Sequence, residues 1–413
     1  MRNIAKNAVH LFLLTIIKLI VPIAIMPYLA RVLSTEQYAT YAYVRACMTF
    51  VTLLMDYGFI YTATREVAEN GNDVNKNSNV IREVTRIKVC FFLIAIVLMG
   101  ILAFVKETLQ DYLIYILITT IGTCLLNIVP DYLFRGLEKL EFLSTRMFIS
   151  RMITTALVFV LVKCENDFIM VAYLEVLCAV LVLGATVVWL KKQDYFLRVN
   201  NDFKEMSRRI KDGFSYFVAT AAPSAYGALN TLFIGQFLPD LEIIYWSTSW
   251  NVITAVLHFY NPLINSIFPY AVKRGDKKIL RKVLLYVMPI ILFGTILIWL
   301  LSNRAFEFLV GNEYVQGAYS LKVLCPVLFV AFPGMVIGSL GFGIAKRDAE
   351  LGKMTVLTAV FHVVGLVVLV ISRRFTLLNV CFLRVGTECV GTFLRTIRYT
   401  KICTYTMNRE SEG

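Results

Sequence analysis

Charged side chains are scarce in this chain of 413 residues: Asp, Glu, Lys and Arg make up 17% of it, whereas hydrophobic residues make up 58%. A soluble protein of this length would fold into two or three domains with charged surfaces. A mean hydropathy of +0.69 is incompatible with such surfaces. The composition therefore excludes a soluble enzyme and favours a protein that lies mostly in a membrane.

Sequence patterns that hold metals, cofactors or nucleophiles are missing. The nine Cys lie mostly within apolar stretches, no C-x-x-C pair occurs, and there are only three His. The short polar segments contain no zinc motif, Gly-rich phosphate loop or nucleophile elbow. We therefore expect no metal site, no cofactor, no disulfide and no catalytic residues, and the protein is not expected to be an enzyme.

What the sequence does contain is twelve apolar runs, one after another. Each is about 18–25 residues long, enough to cross the roughly 30 Å hydrocarbon core of a bilayer as a helix. The runs predict an all-α integral membrane protein with twelve transmembrane helices. The predicted spans are 9–30, 38–62, 87–105, 112–134, 147–163, 168–190, 213–236, 243–268, 283–302, 318–343, 354–372 and 376–396.

The short loops between these spans differ in their content of Lys and Arg. Counted in the loops and at the adjoining ends of the runs, alternate loops hold 31 basic residues on one side and 6 on the other. Short loops rich in Lys and Arg remain in the cytoplasm. The distribution predicts a multi-pass protein of a bacterial inner membrane with both termini cytoplasmic. The net charge of +13 is then explained by topology and by attraction to anionic lipids, without a nucleic-acid partner.

The chain is expected to form two lobes of six helices, 1–205 and 206–413, because the longest and most basic loop lies between the sixth and seventh spans. The two halves also resemble each other in sequence. Segment 27–43, after the first span, resembles 233–249, after the seventh, and the segments that leave the fourth and tenth spans are alike as well. This predicts a parallel duplication whose two copies are related by an axis along the membrane normal.

Polar residues form stripes at helical spacing within four spans. The second span carries Arg45, Thr49, Thr52 and Asp56, and the eighth carries Ser247, Asn251, Thr254, His258, Asn261 and Asn265. The first and seventh spans add Lys18 and Asn230. Such stripes cannot face lipid, so they form either a packing seam or the wall of a water-filled cavity. Six polar residues on the eighth span favour the cavity.

Lys18 and Arg45 place positive charge deep in their spans, which is costly unless the side chain reaches the interface or finds a partner. Asp56 is about 16 Å along the helix from Arg45, too far for a direct ion pair. With no other evident partner, an anionic ligand is the favoured explanation, and guanidinium suits phosphate oxygens well.

Each remaining ionisable residue within the spans has a structural explanation beside, or instead of, a functional one. Glu175 has no evident partner and would either carry a coupling proton or pack as a hydrogen-bonded acid. Arg384 and Glu388 are spaced for an ion pair with each other. His258 would titrate near neutral pH or hydrogen-bond to its neighbours. His362 is expected to be structural, and Asp131 is expected to pair with Arg135.

Four segments carry a family resemblance: "PYLARVLSTEQYATYAY" (27–43), "LMDYGFIYTATREVAE" (54–69), "LFRGLEKLEF" (133–142) and "GNEYVQGAYSLKVLCPVL" (311–328). With the helix count and two-lobe layout, they resemble the Wzx-type polysaccharide (O-antigen) flippases of the MATE-like MOP superfamily. The resemblance implies a V-shaped pair of lobes around a central cavity lined by the first two helices of each lobe.

The resemblance also implies a cargo, an undecaprenyl-diphosphate-linked oligosaccharide that moves from the cytoplasmic to the outer leaflet by alternating access. Lys18 and Arg45 would bind the diphosphate, and a set of polar side chains would contact the sugars. A further set of residues is assigned to coupling or gating, with a proton or sodium ion as the counter-ion. Membrane lipids and polymerase or ligase machinery are the other expected partners. The sugar contacts are Thr49, Asn230, Asn251, His258, Asn261 and Asn265, and the coupling residues are Asp56, Glu175, Arg384 and Glu388.

Three alternatives to the flippase fit the sequence less well. A multidrug exporter of the same superfamily would need buried carboxylates for cationic drugs, whereas the first lobe presents Lys18 and Arg45. A membrane glycan polymerase would need a large outward loop, and no loop predicted to face outward exceeds about 16 residues. A scaffold has no need of buried charge.

Overall fold

The computed structural model describes residues 24–195, 203–274, 278–345 and 347–411, and within these ranges every long element is a helix. Helix α1 is described over residues 24–32. The other long helices are α2 (Thr35–Asp56), α3 (Val74–Val105), α4 (Leu113–Ile128), α5 (Leu140–Leu161), α6 (Phe168–Lys192), α7 (Phe203–Phe237), α8 (Asp240–Arg274), α9 (Lys278–Leu309), α10 (Pro326–Val336), α11 (Asp348–Ile371) and α12 (Leu377–Ser411). Further helices include Phe59–Asn70, Asp131–Gly136 and Ala318–Leu324.

Nine segments in the described ranges are long and apolar enough to cross a membrane. They fall on the second to sixth and the ninth to twelfth predicted spans, which confirms the all-α, multi-pass membrane fold. Helices α7 and α8, of 35 residues each, coincide with the seventh and eighth predicted spans. Most of the first predicted span lies outside the described residues, so the count of twelve stays a prediction.

Capping residues in the sequence fix both ends of α2. The Ser34 hydroxyl accepts from the Gln37 backbone N–H at 3.3 Å, while the Gln37 side chain accepts from the Ser34 N–H at 3.4 Å, a capping box. At the other end, Tyr57 and Gly58 adopt left-handed backbone conformations. The helix therefore stops inside the second predicted span, and the chain continues as Phe59–Asn70.

Gly122 brings α4 and α6 into close contact. A Cβ at this position would lie 3.0 Å from the backbone nitrogen of Val176 and 3.1 Å from the carbonyl carbon of Glu175. The missing side chain lets the two backbones approach, as small residues do between membrane helices. The approach fixes the part of α6 from which Glu175 projects.

The described residues divide into two compact units with a boundary between Ala221 and Ala222. We call them the N unit and the C unit. The boundary lies within α7, later than the predicted lobe boundary at residue 205. The core of the C unit includes Tyr260, Phe332 and Phe342, and one core cluster of the N unit is built around Phe59 and Tyr132.

Candidate functional site

Three charged side chains meet inside the N unit. Nη1 of Arg45 on α2 lies 2.9 Å from Oε1 of Glu175 on α6, and Nη1 of Arg151 on α5 lies 3.0 Å from Oε2 of the same carboxylate. Each carboxylate oxygen therefore accepts from a different guanidinium. We call this group the Arg–Glu–Arg cluster.

The cluster lies well inside the helix bundle. Arg45 is about ten residues into α2, Glu175 about seven into α6, and Arg151 about ten before the end of α5, which corresponds to roughly 10–15 Å along each axis. These helix ends are on one side of the unit, because the Gln37 amide donates to the carbonyl of Glu165 at 3.1 Å. The three charges thus lie at a similar depth.

A small recess of about 30 Å³ opens beside the cluster. Arg151 and Glu175 form part of its wall, and their side chains are each 20% exposed, whereas that of Arg45 is 37% exposed. Two guanidinium groups against one carboxylate leave an excess of one positive charge. The rest of the lining combines Tyr41, Thr154 and Thr155 with the apolar residues Ile25, Val158, Val171 and Leu174.

Two premises of the sequence-based argument are wrong at this site. Arg45 does have a carboxylate partner, Glu175, and Glu175 has two partners. The sequence does not reveal the pairing because the partner of Arg45 is on another helix, 130 residues away. Arg151, which the charge count groups with the loop before the fifth predicted span, lies well within α5, because that helix begins at Leu140. Its spacing of three and four residues from Thr154 and Thr155 was the available signal that it shares their helix face.

A second group of buried charges lies elsewhere in the N unit. The Lys88 ammonium donates to the carbonyl of Asn127 at 2.6 Å and is in electrostatic range of Asp56 and Asp131. The predicted Asp131–Arg135 pair is wrong, because Asp131 pairs with Arg146 of α5. Lys88 and Arg146 are 4% and 5% exposed, so both belong to packed helices and not to the loops in which the charge count places them.

The polar face of α8 is largely open. Asn251, His258 and Asn261 are exposed, and Thr254 is half-buried with its hydroxyl donating to the Trp250 carbonyl at 2.8 Å. In the N unit, Thr49 and Asp56 are half-buried. Lys18 and the side chain of Asn265 lie outside the described residues. The sugar-contacting roles of the α8 residues and Thr49 remain predictions.

Asn230 differs from the exposed, cavity-lining position that was predicted for it. It is fully buried, its amide donates to the carbonyl of Tyr226 at 3.1 Å, and its Oδ1 lies 3.0 Å from Nε2 of His362. Nδ1 of His362 lies 2.7 Å from the Thr387 hydroxyl. These bonds join α7, α11 and α12, which makes Asn230 a packing residue in this conformation and gives His362 the structural position expected for it.

Arg384 and Glu388 form the predicted ion pair, at 2.6 Å. The Arg384 side chain is only 3% exposed. Its guanidinium carbon lies 4.9 Å from the ring centroid of Tyr226 and 4.6 Å from that of Trp250. Trp250 in turn stacks on Trp246 at 5.7 Å. The pairing is confirmed, whereas a coupling or gating role for Arg384 and Glu388 remains a prediction.

Possible metal ligands do not converge in the part of the chain that the structure describes. No group of three or more His, Cys, Asp or Glu side chains there could hold a metal ion. The chemistry that the N unit does offer is charge recognition, because its excess guanidinium group and nearby hydroxyls can donate hydrogen bonds to an anion.

The family model described as "Polysaccharide biosynthesis protein" matches residues 4–274, more than half of the chain. The chain belongs to this family. Two curated relatives carry the name "Putative O-antigen transporter". The one from Escherichia coli (strain K12) is 21% identical over 95% of both chains. The one from Shigella dysenteriae is 24% identical over 86% of this chain and 90% of its own.

Among solved structures, the chain is similar to a multidrug resistance MATE family transporter of the MOP superfamily in an inward-facing conformation. The TM-score is 0.69 at 15% identity, over 95% of this chain and 96% of the other. A MOP superfamily transporter from Pyrococcus furiosus gives a TM-score of 0.57 at 13% identity, over 97% of this chain and 96% of the other. These likenesses show the fold alone. The resemblance to the polysaccharide flippases of this superfamily is confirmed.

Proposed function

We propose that this protein is a flippase that moves an undecaprenyl-diphosphate-linked oligosaccharide, an O-antigen or capsule repeat unit, from the cytoplasmic to the outer leaflet of the inner membrane. The family and the names of its relatives support a transporter in polysaccharide biosynthesis. The observation that carries the finer proposal is the Arg–Glu–Arg cluster, in which two partly exposed guanidinium groups share one carboxylate inside the bundle.

The headgroup is the part of the cargo that this cluster suits. Guanidinium groups bind phosphate oxygens with strong, directional hydrogen bonds, and the excess positive charge favours an anion. Arg45 and Arg151, with Lys18 of the first span, are the proposed diphosphate ligands. Thr49, Asn251, His258, Asn261 and Asn265 are the proposed sugar contacts, since hydroxyl, amide and imidazole groups both donate and accept hydrogen bonds.

In the proposed cycle the two lobes rock so that the site faces each side of the membrane in turn, with both termini cytoplasmic and no covalent chemistry. A proton or sodium gradient would bias the cycle through Asp56, Glu175, His258 or the Arg384–Glu388 pair. A reconstituted transport assay that shows no response to either gradient would remove the coupling and leave the flippase.

A multidrug exporter of the same superfamily is less well supported. A cationic drug would be repelled by the net positive charge of the cluster, because like charges in a medium of low polarity interact strongly. A glycan polymerase would need catalytic groups, whereas the Arg–Glu–Arg cluster is suited only to binding an anion.

The test is complementation in a strain that lacks its own flippase for a matching repeat unit. Arg45→Ala and Arg151→Ala are each expected to abolish surface glycan at normal protein levels in the membrane. Lys163→Ala, which removes an exposed cation at the end of α5, is the matched control and should leave the glycan unchanged. Normal glycan from both arginine variants would refute the headgroup site.

A further inference from the structure

We infer that Glu175 occupies the place of the cargo's headgroup while the site is empty. Its carboxylate then bonds to both Arg45 and Arg151, and these bonds break when a diphosphate binds. The inference rests on the proposed function and deepens it. It gives the carboxylate a defined part in the transport cycle.

The bonding pattern of the cluster supports such an exchange. Each guanidinium has five N–H donors and gives one of them to Glu175. Neither contact is the two-pronged arrangement that makes arginine–carboxylate pairs tightest. With side chains 37% and 20% exposed, Arg45 and Arg151 keep donors available to a ligand while still held by the carboxylate.

Charge explains why a carboxylate is needed in the empty site. Arg45 and Arg151 both bond to one carboxylate, so their positive charges are only a few ångströms apart. Without an anion between them the two groups would repel each other in a poorly polar surrounding. Glu175 removes most of that repulsion and keeps both guanidinium groups in position for the next headgroup.

Charge also explains why a diphosphate can take the place of Glu175. A diphosphate brings more negative charge and more acceptor oxygens than one carboxylate, so it can satisfy both guanidinium groups at once. On the wall of the recess next to Glu175, Tyr41 and Thr155 supply further hydroxyl groups, whereas the buried Thr154 hydroxyl donates to the Ser150 carbonyl. When the headgroup leaves, the carboxylate returns to both arginines. The exchange lowers the net affinity and favours release, which a transporter needs as much as binding.

Binding and flipping should therefore respond in opposite directions to Glu175→Gln. The amide has nearly the same shape but cannot neutralise the arginines, so the purified variant in nanodiscs should bind undecaprenyl diphosphate several-fold more tightly than the wild type. In proteoliposomes it should flip the same lipid more slowly, because release is impaired. Glu165→Gln, the same change at an exposed position just before α6, is the matched control and should alter neither rate nor affinity.

A second variant keeps the inference testable if Glu175→Gln does not fold. Glu175→Asp keeps the charge but shortens the side chain, so it cannot reach both arginines, and its affinity should lie between those of the wild type and Glu175→Gln. Thermal unfolding of each variant in detergent verifies that it is folded. Equal or weaker binding by folded Glu175→Gln would overturn the inference and leave the flippase intact. Failure of the wild type to bind undecaprenyl diphosphate would instead overturn the proposed function.

Discussion

The two units place different chemistry at equivalent positions of the predicted duplication. When the start of α2 at Thr35 is aligned with the start of α8 at Asp240, Arg45 corresponds to Trp250. When the starts of α6 and α12 are aligned in the same way, Glu175 corresponds to Arg384. The N unit thus has an arginine facing a carboxylate, where the C unit has a tryptophan facing an arginine at 4.6 Å.

The surroundings of these positions differ as well. With the starts of α5 and α11 aligned, Thr154, a buried residue behind the recess of the N unit, corresponds to His362, whose larger side chain fills the same place in the C unit. With the ends of α1 and α7 aligned, Ile25, on the wall of that recess, corresponds to Asn230, the hydrogen-bond partner of His362. At this place the N unit has a recess and three charged side chains, whereas the C unit has a stacked and hydrogen-bonded core. Under the proposed function, headgroup recognition would belong to the N unit.

The largest effect on stability is expected from Arg384→Ala. The change leaves Glu388, whose side chain is 14% exposed, without its cationic partner. Removing one member of a buried ion pair costs about 3–5 kcal/mol. We expect a large loss of folded protein and a lower unfolding temperature in detergent. Arg384→Ala combined with Glu388→Gln should recover part of the loss, and a single variant as stable as the wild type would contradict the packed role of the C-unit pair.

The next comparison sets Arg45→Ala against Trp250→Ala, the two equivalent positions. Arg45→Ala should weaken binding of undecaprenyl diphosphate about 10- to 100-fold, since a hydrogen bond to a charged group contributes about 1.5–3 kcal/mol. Trp250→Ala should leave that affinity unchanged and lower stability by about 1–2 kcal/mol through the lost stack and cation–π contact. Measurements of lipid binding and of thermal unfolding on both variants test these two expectations. Weaker lipid binding by folded Trp250→Ala would show that the C unit also recognises the headgroup.

Helix packing can be compared between the units by adding a methyl group to one glycine in each. Gly122→Ala should destabilise the N unit by about 1–3 kcal/mol, because its Cβ would meet the backbone of α6 at 3.0 Å and the helices would have to separate. Gly365→Ala on α11 should cost less, because the new Cβ would meet only the flexible side chain of Leu383. Thermal unfolding tests the order, and equal costs would show that the α4–α6 contact is not unusually close.

The smallest effect expected is the coupling between Asn230 and His362. Because the two side chains are bonded at 3.0 Å, Asn230→Ala and His362→Ala should not be additive, with a coupling energy of about 1 kcal/mol. A double-mutant cycle of unfolding free energies measures it. Additive losses of unfolding free energy would mean that the two residues do not act as a unit. The predicted cavity-facing role of Asn230 would then stand again.

Helix spacing predicted the polar faces of α2 and α8 well, because a stripe is a property of one helix and can be read from neighbouring positions. The Arg384–Glu388 pair was predictable for the same reason, since its members are four residues apart on α12. The partners of Arg45 and Asp131 were not predictable, because each is on a different helix. Arg151 and Lys88 resemble loop residues in the sequence because basic residues near the ends of apolar runs look alike whether or not the helix includes them.

The sequence by itself determined that this chain is a multi-pass helical membrane protein of the polysaccharide biosynthesis family, since hydrophobic length, loop charge and short motifs are local properties. Only the tertiary structure decided which charges compensate one another. Ion pairs between α2, α5 and α6 depend on how those helices pack, and packing is a collective property of side chains far apart in the chain. For the same reason, only the structure showed that Arg45 is partly exposed whereas Asn230 is fully buried.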